Sequence, residues 1–442
     1  MAERMTRGRM LAYGMAEFPL AMAAIPMAIF IPALYTRDLG LSLGAVGTIL
    51  IIARWTDVLT DPLIGFLSDR TRSSWGRRKP WILAGAPILL LSVFMLFRPS
   101  ADVTTTYFAT WTVILWLGWT LVGIPYYAWG AELSPNYHER TQIATWRTVC
   151  GVTGTLTAIS APLATAALFD YGNAIDETLV IISGAVIAVA IVAFALLLTR
   201  VPEAPRIEVR RVPVLQGFRL MWRNGPFKRL MIAFMLGGIG PAMAAPLYIF
   251  YVNHVIRYDL AGSVILLVFY VGNLIGVTLW AALARRIGKR RAWMSGMSLM
   301  LVAQPWYLVL GEGDLRWMMA ILFISGMSAG SFVALPSAMK ADVIDLDRLE
   351  TGEDRTGLFF STWSLAQKAI VAWATGFALL ILEFADFQPS GVNGPEQILA
   401  LKIAFAGIPV MCYALAVWII RPYPITEARH ALVLQQLASR SH

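Results

Sequence analysis

The stretch Arg54-Trp55-Thr56-Asp57-Val58-Leu59-Thr60-Asp61-Pro62 sets two carboxylates and a guanidinium between apolar flanks. On an α-helix Asp57 and Asp61 are four residues apart and share a face, and Arg54 precedes Asp57 by three. Ionisable groups at membrane depth need a partner, a water-filled cavity or an ion. Two close carboxylates repel each other unless positive charge lies between them. A proton, a sodium ion or a basic side chain would serve. Thr56 and Thr60 add hydroxyl oxygens, the hard ligands that suit such a cation. The spacing points to a coupling-cation site. The other reading is an ion-pair network that only holds helices together.

Lys368 lies twelve residues after Thr356 in an apolar run, too deep for easy snorkelling. Its ammonium could neutralise the aspartate pair when no cation is bound, or it could reach a lipid headgroup. Charged residues recur where apolar runs end. Glu132, Glu139, Arg140 and Arg147 follow Gly123-Ile124-Pro125-Tyr126-Tyr127. Lys340, Asp342, Asp345, Asp347, Arg348, Glu350, Glu353, Asp354 and Arg355 mirror them at the tenth-to-eleventh connection. With Asp69 and Arg77, such groups on two rigid units would latch a cytoplasmic gate, joined in one state and broken in the other; the alternative is a solvated surface. Trp119, Tyr126, Tyr248, Trp363 and Asn273 are candidates to line a solute cavity, although most aromatics in a membrane bundle pack or anchor at the interface. Glu17 is a further embedded acid, belonging to the cavity or to the inner gate.

Twelve apolar runs carry these residues, at about 10–35, 44–68, 80–98, 105–133, 142–169, 178–199, 229–253, 261–284, 291–311, 316–341, 356–384 and 398–421. Their length suits membrane-spanning helices rather than barrel strands. Segment 201–228, with four prolines and five arginines, is the one long internal break. The expected organisation is a six-helix bundle over 1–200, a cytoplasmic linker over 201–228, and a second bundle over 229–442 with a short tail. Basic residues gather in alternate loops, as in Arg70, Arg72, Arg77, Arg78 and Lys79, and again in Arg285, Arg286, Lys289, Arg290 and Arg291. The opposite loops carry single basic residues, which puts both termini in the cytoplasm. The two basic loops form a weak repeat, Gly65-Phe66-Leu67-Ser68-Asp69-Arg70 matching Ala281-Ala282-Leu283-Ala284-Arg285-Arg286. Gly and Pro breaks in spans one and seven also correspond, and interrupted helices in matching places mark transporter binding sites.

Of the 442 residues, 58% are hydrophobic and 14% charged, against the roughly 25% charge of soluble domains. The net charge of +9 lies in loops between spans, so it reads as membrane orientation rather than nucleic-acid binding. The chain is therefore an all-α polytopic membrane protein. Cys150 and Cys412 imply no disulfide framework, and the four histidines are scattered, so no metal cluster is expected. No nucleophile–base pair is evident, which argues against an enzyme.

Arg54-x-x-Asp57-x-x-x-Asp61-Pro62-x-x-Gly65, Asp69-Arg70-Thr71-Arg72 and Trp75-Gly76-Arg77-Arg78-Lys79-Pro80-Trp81 resemble the glycoside–pentoside–hexuronide:cation symporters of the major facilitator superfamily. Ile124-Pro125-Tyr126-Tyr127, Glu139-Arg140, Asp342, Asp345, Thr351-Gly352, Arg355 and Lys368 extend the resemblance across both halves. It implies twelve helices in two pseudo-symmetric bundles and cation-coupled uptake by alternating access. It also implies that Asp57 and Asp61 bind the cation, that Thr120 contributes, and that Arg54 and Lys368 match the family's cavity cations. The acids that hold sugar in the melibiose carrier fall at Ala21 and Gly123, so those hydroxyl contacts are missing here. Thr60 replaces an asparagine between the aspartates, which leaves Na+ and H+ both open.

The expected function is symport of an organic solute, a sugar or glycoside, with Na+ or H+ and no cofactor. The alternatives are a sodium-dependent lysophospholipid or amphiphile transporter and a proton-driven exporter. The partners expected are a small-molecule substrate and membrane lipid, with no nucleic acid and no obligate protein partner, in the inner membrane.

Overall fold

The computed structural model describes residues 5–100, 102–134, 137–169, 175–203, 224–258, 263–353 and 355–440. Most of the expected linker, 204–223, lies outside them. The first six spans are α1 Arg7–Gly14 with α2 Glu17–Ala33, α3 Leu43–Arg70, α4 Lys79–Phe97, α5 Thr105–Glu132, α6 Tyr137–Phe169 and α7 Ile175–Arg200. The last six are α8 Gly225–Tyr251, α9 Ser263–Ile287, α10 Lys289–Ala303, α11 Leu315–Thr351, α12 Thr356–Phe384, and α13 Pro395–Lys402 with α14 Ile408–Ile420. The helix α15, Glu427–Arg440, follows them. Among the described residues no strand occurs. Ten helical stretches are long and apolar enough to cross a membrane. The helices α6 and α10 stand where the fifth and ninth spans were expected.

Local chemistry sets the helix starts. Ser42, Thr104 and Asn224 accept hydrogen bonds from the backbone of Ala45, Tyr107 and Phe227, supplying partners that a first turn otherwise lacks. The prolines of spans one and seven do not interrupt their helices: α2 runs through Pro26 and Pro32, and α8 through Pro241 and Pro246. Both spans instead end in a five-residue π-helical turn, at Leu34–Asp38 and Val252–Ile256. The largest departure is at α11. It was expected to end near 341 but continues to Thr351, with Gly352 at φ 72° as its left-handed stop. Asp342, Asp345 and Asp347 therefore stand on a rigid helix end and not in a loop.

Within the first six spans α2 packs on α6 and α7, while α5 packs on α3 and α4. Within the last six α11 packs on α9 and α10, and α8 on α12 and α14. The two sets meet along three seams, α2 with α8, α3 with α12 and α6 with α9. The larger buried apolar cluster crosses these seams, joining Leu34 and Tyr35 to Tyr251 and Leu379. A second cluster, around Trp293, Trp363 and Tyr413, draws on the last six spans and on the α15 that follows them.

Candidate functional site

One face of α5 organises the interior of the first six spans. Trp116, Thr120, Gly123 and Tyr127 recur at helical spacing on it. The indole ring of Trp116 lies under the Arg54 guanidinium, 3.3 Å from ring centre to Cζ, a contact worth about 0.5–2 kcal/mol. This stacking aims Arg54 along α3, where its Nη1 is 3.5 Å from Asp57 Oδ2. Asp57 is only 2% exposed. One turn further, Thr120 Oγ1 donates to Asp61 Oδ1 at 3.0 Å, and Lys368 of α12 pairs with the other oxygen of Asp61. The cluster thus sets two carboxylates against two cations, one of which comes from the last six spans. Asp57 Oδ1 and Thr60 Oγ1 are buried and have no hydrogen-bond partner among the described residues. A small cation with oxygen ligands fits that donor set. The Thr56 hydroxyl donates its proton to Ala53 O at 2.6 Å, which leaves its oxygen able to accept.

Two turns along the same face, Tyr127 OH donates to Glu17 Oε1 at 3.2 Å. The guanidinium of Arg147 lies 5.1 Å from the centre of the Tyr127 ring. Glu17 was open between cavity and gate, and Arg147 was expected at the gate. Both meet Tyr127 in this interior cluster, and a side chain on Gly151 of α6 would begin 3.1 Å from Glu17. The face of Gly123 looks onto the rings of Tyr127 and Trp119, at 3.5 and 3.6 Å from where a side chain would begin. Where the resemblance places a sugar-binding acid, this chain has an aromatic wall with Glu17 one turn from Ala21. Tyr127 is 37% exposed, so the wall borders open space.

The seam of α3 with α12 closes one end of the molecule. Gly44 N donates to Glu383 Oε2 at 3.1 Å, beside the start of α3. A side chain on Gly47 would begin 2.7 Å from Gly376 O, so the backbones touch. The seam runs on past the edge-to-face pair Trp55–Trp373 to Asp61–Lys368. Beyond Asp61 the exposed face of α3 widens, from single residues at Ile52, Trp55 and Leu59 to pairs at Pro62–Leu63 and Phe66–Leu67. The two sets are joined at the far end, and α3 is more exposed toward the end of the basic loops.

The charged groups at the end of the basic loops differ from the expected latch. Asp69 and Glu132 both bind Arg78, at 2.5 and 2.9 Å, and Arg77 lies 2.7 Å from Glu132. Arg140 donates to Ser134 O at 2.6 Å, and Arg355 pairs with Glu353 at 2.8 Å. Asp342 takes Lys289 at 2.6 Å, and Asp345 takes His430 at 2.9 Å. Each of these pairs stays within one half of the chain, His430 being on α15, so none of them joins the two halves. Arg78, 2% exposed, is the centre of the first network, and Glu203 accepts from the backbone of Arg77 and Arg78. Neither residue stood among the sequence candidates.

Three cavity candidates are packing residues. Tyr126 is fully buried, stacked on Tyr13, with its hydroxyl donating to Tyr13 O at 2.9 Å. Trp363 packs on Phe234 at 4.2 Å, and Tyr248 is 3% exposed within α8. Asn273 sits where α9 crosses the glycines Gly326 and Gly330 of α11. Trp119 alone keeps its place beside the open wall.

A family model described as MFS/sugar transport protein matches residues 12–427. The chain belongs to this family. The transporter is 27% identical to the putative glycoside/cation symporter YagG of Escherichia coli (strain K12), over 91% of this chain and 88% of that one. It is 24% identical to the sodium-dependent lysophosphatidylcholine symporter 1 of Mus musculus, over 86% and 78%. Its fold matches a crystallised mutant of the nucleoside transporter NupG with TM-score 0.69, at 13% identity over 93% and 98%. The transporter is thus a multi-pass integral membrane protein with the major facilitator fold, in a family of transporters rather than enzymes. The resemblance read from its motifs holds at the level of the family.

Proposed function

We propose that this transporter moves an organic solute, a sugar or glycoside, together with Na+ or H+ by alternating access. The observation that carries this reading is Asp61, a membrane-embedded carboxylate held at once by Thr120 of the first six spans and Lys368 of the last six. Asp57 and Asp61 are the cation ligands, with Thr60 and Thr120 beside them. Arg54 and Lys368 balance their charge. Tyr127, Trp119, Glu17 and Arg147 form the solute wall. The working units are bundles 1–200 and 229–442 joined by 201–228, with the basic loops and both termini in the cytoplasm of a cell whose inner membrane holds the protein. The small-molecule substrate is met at midplane.

Cation binding removes the repulsion of the two carboxylates and releases Lys368 from Asp61. The seam of α3 with α12 can then loosen, so the loaded halves rock together. The relative named for glycoside/cation symport supports the solute class. A second reading, an amphiphile such as a lysophospholipid, is favoured by the aromatic wall at Gly123 and by the relative named for sodium-dependent lysophosphatidylcholine symport.

The test is uptake into proteoliposomes with an imposed cation gradient. Asp57→Asn and Asp61→Asn should each abolish accumulation against the solute gradient while leaving the protein folded. Accumulation that survives in both variants rules out the coupling role.

A further inference from the structure

The basic loop between α9 and α10 borders a cavity of about 710 Å3. Five cations line it, Arg285, Arg286, Lys289, Arg290 and Arg291, against two carboxylates, Asp342 and Glu427. His430 of α15 stands at its edge, 2.9 Å from Asp345 and 3.6 Å from Asp342. Lys289 is spent on Asp342, at 2.6 and 2.8 Å. Arg290 donates to the carbonyls of Arg421 and Tyr423, both at 3.1 Å. Arg285, Arg286 and Arg291 are exposed and make no ion pair among the described residues. The deeper walls are apolar, from Ala281, Ala284, Leu335, Ala338, Met339 and Ile425.

The matching loop of the first half shows what this site lacks. There Arg78 is closed in by Asp69 and Glu132, and Glu203 takes two backbone N–H groups. In the repeat, the place of Asp69 is held by Arg285. The same loop thus carries a carboxylate in one half and a guanidinium in the other. The half with the guanidinium is the half with the cavity. Free guanidiniums select phosphate through paired N–H donors. The cavity also lies where the membrane-spanning helix α9 ends, at Ile287, and its inner walls suit hydrocarbon. Basic pockets at that depth take anionic lipid headgroups.

We propose that an anionic phospholipid headgroup fills this cavity and gives the second half the negative charge that Asp69 gives the first. The lipid bridges Arg285, Arg286 and Arg291 and braces α10 against the inner end of α11.

The test uses the full chain in nanodiscs of phosphatidylcholine, with and without phosphatidylglycerol, read by native mass spectrometry and by melting temperature. Wild type should retain phosphatidylglycerol in preference to phosphatidylcholine and melt higher in its presence. Arg285→Asp, which restores the first half's carboxylate, should lose that preference. A separate Arg286→Gln/Arg291→Gln protein covers the case in which the reversal fails to fold. Its preference should fall by roughly fivefold per charge removed, on the scale of one basic residue at an anionic surface. Inorganic phosphate added to phosphatidylcholine nanodiscs should not raise the melting temperature. Equal retention of the two lipids by wild type, unchanged preference in the variants, or stabilisation by phosphate alone would each overturn the proposal.

Discussion

At Asp61 one carboxylate oxygen takes the Thr120 hydroxyl and the other takes the Lys368 ammonium. On the function proposed above, a coupling cation arriving there has to displace a charge that the protein itself supplies. Lys368→Met should therefore tighten cation binding, by roughly tenfold or more, even as it spoils transport. Titrating the melting temperature with Na+ at fixed pH, and with pH in the absence of Na+, reads this directly; weaker binding of both ions would show that Lys368 assists the cation instead. The Asp57, Asp61 and Lys368 cluster was legible in the sequence because charged residues inside apolar runs are rare and need partners. Tyr126, Tyr248 and Trp363 were misread because an aromatic that packs and one that lines a cavity have the same signature in one chain. Arg78 and His430 were missed for a different reason. The buried Arg78 is completed by Glu132, 54 residues away, beside the nearby Asp69, and the tail histidine by Asp345, 85 residues away.

The contact of α3 with α12 turns on glycine. The backbones of Gly47 and Gly376 touch, and Glu383 caps the start of α3 next to them. Gly47→Val cannot keep this approach without moving one helix, a strain of about 1–3 kcal/mol in a packed interior. The closed far end is the state that suffers. We expect at least roughly tenfold slower uptake, the equivalent of about 1.4 kcal/mol, with the Na+- or pH-dependent melting shift retained. Uptake at the wild-type rate would mean that the seam does not gate. Helix existence was legible from apolar length, and all twelve expected runs coincide with helices. The overrun of α11 was not legible, since Lys340 to Glu350 reads as a polar connection by composition. On that helix end Asp342 and Asp345 find Lys289 and His430, contacts that composition cannot show.

Across the whole molecule, three seams join two sets of six spans, and the charged pairs at the basic-loop end stay within each set. The sequence showed the repeat, but it could not show which end is shut, because the same residues serve both states. The pairing of Arg54 with Asp57 and of Lys368 with Asp61 has an electrical consequence. Two positive and two negative groups cancel, so the empty carrier crosses between its two states without moving charge through the membrane field. Once the cation is aboard, that balance carries one positive charge, and the field acts on it with about 2.3 kcal/mol per 100 mV. Membrane voltage should therefore drive the loaded step and leave the empty return untouched. With an uncharged solute, currents on a solid-supported membrane should be inward-positive and should appear only when solute and cation are present together. A voltage-dependent return of the empty carrier would break the argument. On the proposed function, the ammonium of Lys368 is then a resident counter-ion, and it would let a cell run uptake from its resting potential alone when the outside offers little chemical gradient.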